Sequence, residues 1–189
     1  MKLRPLFLIF LIGFFVFSCS SDSEDDVVNT DDEIVGGGND DDGNNGGVDP
    51  TDGIIFTGPT ITFTRPDNAD FMQPENQDMI TENVIITRAD RMGIFNIAQE
   101  SGFSGGRRDS PSPAGTLWAI GTTSDDLSSL TFAPWAETVE TVGGPREAAS
   151  ERTNLVLHLT EENIFIDLVF ISFSGGGGGG FSYQRSTME

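Results

Sequence analysis

The only histidine of the chain lies near a carboxylate in a predicted hairpin, and these two residues could do chemistry together. A symmetric turn centred on Glu161 and Glu162 would make His158 and Asp167 diagonal neighbours on one face, about 7–8 Å apart. A histidine and a carboxylate so placed could exchange protons or hold a metal. A buried His–Asp hydrogen bond between sheet neighbours is the simpler interpretation. A bulge at Asn163 would instead put the two side chains on opposite faces.

Carboxylates that could hydrolyse glycosides are present as well: Glu100, Glu161, Glu162 and Asp167. Paired carboxyl groups about 5–10 Å apart perform that reaction. Because the chain has 30 acidic residues, however, such a pair carries almost no information. The single cysteine and single histidine are too few for a disulfide framework, a Cys/His zinc site or a nucleophile–histidine enzyme. We therefore predict a protein with no catalytic residues, no metal site and no cofactor.

Three aromatic residues could form a platform for sugar rings. Trp118, Trp135 and Tyr183 lie in predicted strands, and exposed aromatic rows stack on sugars in carbohydrate-binding modules. The alternative is that these rings belong to the hydrophobic core, as large aromatic side chains more often do. The candidate ligand-facing residues are these three together with His158 and Asp167.

Six consecutive glycines at residues 175–180 are the most conspicuous local feature. A phosphate-binding loop would need Gly-Lys-Ser/Thr leading into a helix, and no lysine is present here. A flexible connection between the last two strands is the simpler interpretation. The alternative is that the missing side chains let a ligand approach the backbone.

Net charge restricts the partners that the protein can have. The chain has a formal net charge of −20, and its only lysine, Lys2, precedes an apolar run near the N-terminus. Nucleic-acid backbones are bound by clustered Lys and Arg. The composition therefore argues against nucleic acid as a partner.

The first 18 residues have the organisation of a secretion signal. Lys2 and Arg4 precede an apolar core at residues 6–17, which as a helix would span about 18 Å, short of the ~30 Å membrane interior. Val16-Phe17-Ser18-Cys19 follows. This segment resembles a bacterial lipobox, in which Cys19 receives a diacylglycerol and becomes the first residue after cleavage. The alternative is an ordinary signal peptide followed by a free thiol.

Residues 19–53 are predicted to be a disordered acidic tether. They contain 12 acidic residues and 7 glycines but no basic or aromatic residue, so they cannot bury enough apolar surface to offset backbone entropy. The acids directly after Cys19 resemble the export signals of some Gram-negative surface lipoproteins; retention on the periplasmic side is the alternative. Residues 39–47 look superficially like a calcium loop, but a loop starting at Asp42 has Gly53 where an EF-hand needs glutamate. Weak calcium binding is the minor alternative to a solvated tether.

Residues 54–189 are predicted to form one all-β domain. Short β-branched or aromatic runs alternate with Gly and Pro turn signals, and no stretch shows a sustained helical period. Strands are predicted at residues 54–56, 61–65, 83–88, 94–99, 117–121, 130–135, 155–160, 164–173 and 181–185, with one helical turn within residues 69–80. Residues 164–173 are apolar on both faces, which indicates a central strand. The pattern predicts a single β-sandwich, jelly-roll-like in type.

The C-terminal part of the chain resembles a domain that recurs in secreted bacterial proteins, with the pattern HL…D-I-Y-I-D-x-x-F-x-S-W…G-G-G-F-S-Y-x-R. The matching segments are residues 118–122, 130–135, 154–170 and 175–186, and residues 85–88 and 96–100 match the opening of that domain. Phe165 and Phe173 stand where the family often has Tyr and Trp. The resemblance covers about residues 80–186 and implies one β-domain without supplying an activity.

These features predict an outer-membrane lipoprotein, anchored to the membrane through Cys19 and facing the cell surface. Its β-sandwich is predicted to bind or adhere without catalysis, with a glycan or a surface protein as the partner. A carbohydrate-binding lipoprotein of a polysaccharide-handling system is the alternative, and a glycoside-acting enzyme is less favoured.

Overall fold

The computed structural model describes residues 52–189. The predicted signal peptide, Cys19 and almost all of the predicted tether, including the calcium-like residues 39–47, lie outside the described residues. Within the described part of the chain, no helix is long and apolar enough to cross a membrane.

The described residues form nine strands and two short α-helices. The strands are β1 (Ile54–Ile55), β2 (Ile61–Arg65), β3 (Asp78–Met79), β4 (Ile85–Arg88), β5 (Ile94–Asn96), β6 (Thr116–Ile120), β7 (Asn154–Leu159), β8 (Ile164–Phe173) and β9 (Phe181–Arg185). The helices are α1 (Trp135–Glu140) and α2 (Pro145–Ser150). The all-β prediction is confirmed, and β2, β8 and β9 have the predicted bounds.

The strands form two sheets. The larger has the order β2-β9-β8-β7-β6, with β1 added in parallel alongside β8, and the smaller has the order β3-β4-β5. Strand β8 therefore lies between β7 and β9, which confirms the prediction of a central strand. Strands β9 to β6 lie side by side in reverse chain order, and β2 lies beside β9.

One hydrophobic core lies against both sheets. The smaller sheet contributes Ile86 and Ile94, and Val84 directly precedes β4. They join apolar residues of the larger sheet in a single cluster. The members from the larger sheet include Trp118, Leu155, Leu157, Ile166, Phe170 and Tyr183. A core shared by two sheets fits the predicted sandwich.

The hairpin formed by β7 and β8 has the symmetric register expected from the sequence. Leu159 pairs with Ile164 and His158 with Phe165 across the turn. Asn163 has φ 50°, a left-handed conformation that asparagine tolerates better than most residues. The turn therefore keeps His158 and Phe165 on one face of the sheet.

The prediction of a strand at residues 130–135 is wrong. Only Ala133 forms a bridge there, to Trp118, and Trp135 already begins α1. Pro134 is the N-cap residue and has no N–H to donate to a neighbouring strand.

Both helices have six residues, too few to show a helical period, and they gain stability by burying Ala136, Val139 and Ala149 in the core. The predicted helical turn within residues 69–80 is present as a 3-10 turn at Pro74–Asn76.

A buried ion pair joins the two sheets. Arg185 of β9 donates two hydrogen bonds to Asp78 of β3, from Nε at 2.7 Å and from Nη2 at 2.8 Å. The hydroxyl of Tyr183 donates to the same carboxylate at 2.6 Å. Burial alone would lower the pKa of Arg185, but its bonds to Asp78 and the charge of that carboxylate raise it. Burial, followed by the charge of Asp78, raises the pKa of Tyr183 well above its ordinary value.

We expect Asp78→Asn to destabilise the protein by about 3–5 kcal/mol, because it leaves the charge of Arg185 buried without a counter-charge. The control is Arg108→Gln, which breaks an exposed ion pair with Glu140, 2.9 Å long, and should cost less than about 1 kcal/mol. Urea unfolding of both variants measures the difference. Similar losses in the two variants would show that the buried pair does not hold the sheets together.

Candidate functional site: a cleft lined by arginines

The structure surrounds His158 with aromatic rings. Its imidazole stacks on Phe165 with centroids 4.2 Å apart and an interplanar angle of 2°, and Phe132 meets it edge-on at 5.7 Å. Its Nε2 lies 3.0 Å from Oδ1 of Asn163. Burial lowers the pKa of His158, and the hydrogen bond to Asn163 opposes this shift only in part. The imidazole is therefore neutral at pH 7.

Asp167 lies on the same face of the sheet as His158 but has a different partner. Its carboxylate accepts two hydrogen bonds from Thr123, one from the backbone N at 2.7 Å and one from the hydroxyl at 2.8 Å. In the described part of the chain the predicted His–Asp hydrogen bond is not formed. The register leaves the two side chains as diagonal neighbours, and each bonds to a closer group.

The other candidate carboxylates hold loops in place or face solvent. Glu100 accepts two backbone N–H bonds of 2.8 Å and a third bond from the Ser112 hydroxyl. Glu162 accepts from the Thr81 hydroxyl at 2.8 Å, and Glu161 is exposed. Among residues 52–189, no group of three or more His, Cys, Asp and Glu side chains is placed to hold a metal.

The three candidate platform rings are buried, which corrects the prediction that they could face a sugar. Trp118 and Tyr183 have no exposed surface, and Trp135 is 3% exposed. Trp118 donates its Nε1–H to Thr116 at 2.9 Å and stacks near Phe170 in the core. Trp135 is the one of the three that also lines a surface cleft.

The loop at residues 175–180 is packed against charged side chains and is more than a spacer. Arg65 donates to the carbonyl of Gly178 at 3.3 Å, and the backbone N of Gly180 donates to Asp67 at 2.8 Å. Gly179 and Gly180 are buried. The pKa of Asp67 is lowered, first by the hydrogen bond from Ser174 and then by that from Gly180. The second half of the glycine run is therefore a fixed part of the fold, which corrects the expectation of a flexible connection.

Arg88 is buried beneath this loop and is held by backbone carbonyls. It donates from Nε to Met92 O at 2.7 Å, from Nη1 to Gly180 O at 2.9 Å and from Nη2 to Ser174 O at 3.0 Å. Its guanidinium carbon lies 3.7 Å from the centroid of the Phe173 ring. Burial lowers the pKa of Arg88 to about 10, helped by the charge of Arg65 and opposed by Asp67. Arg88 therefore carries its charge at neutral pH.

Arg88 forms part of the lining of a cleft of about 340 Å³, which we call the arginine cleft. Its walls come from the turn between β4 and β5, the loop after β5, helix α1, the start of α2 and the first residues of the glycine loop. The charged residues of the lining are Arg88, Arg91, Arg107, Arg146, Glu140 and Glu147. The apolar ones include Met92, Phe103, Trp135, Val139 and Phe173.

The arginine cleft concentrates positive charge in an acidic domain. Residues 54–189 contain 18 acidic residues and 8 arginines, and half of those arginines line this cleft. Arg91, Arg107 and Arg146 are exposed. Within the described residues, ion pairs form at Arg65, Arg108 and Arg185 but at none of the four cleft arginines. The cleft therefore has guanidinium groups whose charge is available to an anion.

The sequence interpretation missed the cleft, although one signal was present. Residues 88–108 contain four arginines against two acidic residues, a local reversal of charge in an acidic chain. Arg146 lies far from residues 88–108 in sequence. It lines the cleft because α2, which carries it, packs on the core through Ala149. An added Cβ at Gly175 would lie 3.2 Å from its Nη1, so the glycine loop and Arg146 are in close contact.

We expect Gly179→Ala to destabilise the protein more than Gly176→Ala does. Both glycines have positive φ, 71° and 81°, so each alanine should cost about 1–2 kcal/mol in backbone conformation. A Cβ at Gly179 would also lie 2.5 Å from Arg65 Nη1 and 2.9 Å from Ala89 O, whereas nothing lies within 4 Å of a Cβ at Gly176. Overpacking should add about 1–3 kcal/mol at Gly179 alone. Urea unfolding compares the two variants, and equal losses would contradict the packed arrangement of the loop.

Comparison of the chain with protein-family models, with curated proteins and with solved structures gives no match. The assignment of a function therefore rests on the sequence signals and on the geometry of the arginine cleft.

Proposed function

We propose that this protein is a lipid-anchored surface protein of the bacterial outer membrane, and that its β-domain binds an anionic ligand in the arginine cleft without catalysis. The observation that carries the binding role is the convergence of three exposed arginines, Arg91, Arg107 and Arg146, on one cleft, with none of them in an ion pair within residues 52–189. Acidic side chains outnumber arginines in this domain by more than two to one. Arginines without carboxylate partners in such surroundings are best explained by a ligand that supplies the negative charge.

The groups that could do chemistry support a binding role over an enzymatic one. His158 is neutral, stacked on Phe165 and bonded to Asn163. Asp167 is fully engaged with Thr123, and Glu100 holds the loop around Ser112. A general acid or base must reach the proton that it transfers, and these groups are committed to neighbours in their own fold.

The anchor part of the proposal rests on the sequence around Cys19. A short apolar segment, a small residue before the cysteine and an acidic stretch after it form the pattern of a lipidated, surface-exported protein. Burial of an acyl chain in the membrane contributes about 0.8 kcal/mol of binding free energy per CH₂ group. More than one chain is needed for stable anchoring.

Carbohydrate binding is the second candidate function. The three aromatic rings that first favoured it are buried, so a flat aromatic platform does not support it. The mixed lining of the arginine cleft supports a different version, in which the sugar itself is charged.

Replacement of the proposed anchor residue, Cys19→Ala, should abolish lipid attachment and leave an uncleaved or missorted precursor. Metabolic labelling with a clickable palmitate in a bacterial host measures the attachment. Ser21→Ala is the control and should label as the native chain does. Label that persists in Cys19→Ala would contradict the lipobox assignment.

Anion binding should raise the thermal stability of the protein, because a ligand that binds only the folded state stabilises it by about 2.7 kcal/mol at one hundred times its dissociation constant. The probes are sodium phosphate, sulfate and galacturonate, each at an ionic strength matched with sodium chloride to separate binding from screening. Arg91→Gln should lose most of the stabilisation. Arg152→Gln removes an exposed arginine that is not among the residues lining the cleft, and should keep it. No stabilisation by any of the three anions, or an equal loss in both variants, would refute the proposed function.

A further inference from the structure

The apolar part of the cleft lining indicates that the ligand is more than a bare anion. Phe103 and Phe173 are partly exposed, and the ring of Trp135 lies 5.8 Å from that of Phe173. A Cβ at Gly93 would lie 2.4 Å from the Phe103 ring and 2.6 Å from the Trp135 ring. The absence of a side chain at Gly93 thus lets both rings approach the backbone and form one apolar surface. Inorganic phosphate or sulfate would leave this surface unused.

The two glutamates of the lining restrict the charge and the polar groups of the ligand. Glu140 is bonded to Arg108, whereas Glu147 is exposed and makes no ion pair in the described residues. A carboxylate accepts hydrogen bonds and donates none at neutral pH, so it binds hydroxyl groups and repels a second negative charge. One unpaired glutamate beside three exposed arginines therefore favours a ligand with one negative charge per unit and several hydroxyls.

We infer that the arginine cleft binds a carboxylated sugar ring, such as one uronic acid residue of an acidic glycan. The inference rests on the proposed function and names its ligand class. The sugar carboxylate pairs with the exposed guanidinium groups of the rim, where arginine offers a planar fork of donors. The carbon–hydrogen face of the ring lies on the exposed part of Phe103, and Glu147 accepts from ring hydroxyls. A cleft of about 340 Å³ is at the small end of ligand sites, which suits one or two rings of a longer chain.

An acidic peptide satisfies these features less well. Each acidic residue of a peptide brings a charge without hydroxyl groups, so Glu147 would repel its side chain and could accept only from the backbone N–H. A peptide that binds by adding a strand needs a free sheet edge, and most of the lining comes from turns, helices and the glycine loop.

The test is isothermal titration calorimetry of the full-length protein with four probes: trigalacturonate, its full methyl ester, a triglutamate peptide and inorganic phosphate. Trigalacturonate should bind at least tenfold more tightly than each of the other three. Arg91→Gln should weaken trigalacturonate binding about tenfold or more, and Arg152→Gln should leave it unchanged.

Two further variants separate ring recognition from charge. Phe103→Leu should weaken trigalacturonate several-fold and leave phosphate unchanged, with circular dichroism to confirm the fold. Glu147→Gln replaces the carboxylate that accepts from ring hydroxyls with a weaker acceptor, which phosphate does not use, so it should lower the ratio of trigalacturonate affinity to phosphate affinity.

Triglutamate or phosphate binding as tightly as trigalacturonate would overturn the sugar inference and leave the anion-binding proposal intact. Equal affinity for trigalacturonate and its methyl ester, together with no binding of phosphate, would overturn both, because the charge would then play no part. The absence of binding by every charged probe would likewise overturn both.

Discussion

The ion pair between Asp78 and Arg185 is the contact on which the arrangement of the two sheets depends. It is the one ion pair of the described residues that is buried on both sides. A buried carboxylate and guanidinium are tolerated only when each satisfies the other, so the strands that carry them have little freedom to slide. Arg185 fixes β9, which the glycine loop enters directly. Asp78 fixes β3, whose neighbour β4 ends in Arg88. The glycine loop and the end of β4, two parts of the arginine cleft, thus adjoin strands that this contact joins.

Two of the eight arginines between residues 54 and 189 make contacts that a lysine could not make. Arg88 bonds three carbonyl oxygens at once, and Arg185 bonds both oxygens of one carboxylate. Such contacts need several donors in one plane, and the ammonium group of lysine is a single point of charge. Structural arginines account for the buried positions, and the exposed arginines beside them form the rim of the cleft. Arginine therefore stabilises the fold at the buried positions and supplies the positive charge of the cleft rim at the exposed ones.

The strands were predictable because their sequence period reflects local geometry. Strands β2, β8 and β9 and the register of the β7–β8 hairpin follow from alternation, from apolar runs and from turn residues. The strand predicted at residues 130–135 failed because an apolar, aromatic run was given more weight than Pro134, which begins a helix. Helices α1 and α2 are stabilised by packing on the core. A six-residue segment is too short for its sequence to show a helical period, so the helices could not be predicted.

The candidate site was harder to predict, for a different reason. Trp118 and Tyr183 attract attention by type, but their burial depends on which face of the sheet meets the second sheet. The cleft arginines come from several loops and one helix, and only the tertiary fold shows that they converge. A charge reversal over residues 88–108 marks part of the site in the sequence, but nothing near Arg146 indicates that it belongs to the same cleft.

The six glycines at residues 175–180 show that a repeat of one residue type can carry positional information. Each of the last three has a different constraint: the carbonyl of Gly178 receives Arg65, the position of Gly179 leaves room for the same guanidinium, and Gly180 bonds both Arg88 and Asp67. The repeat is therefore defined by its length as much as by its composition. A run of five or seven glycines would look almost the same in a sequence. A shift of one residue within residues 178–180 would nevertheless separate these glycines from the side chains that contact them, whereas nothing lies within 4 Å of a Cβ at Gly176 in the first half. The contacts of residues 178–180 therefore constrain the length of this segment, although its sequence is of the lowest complexity.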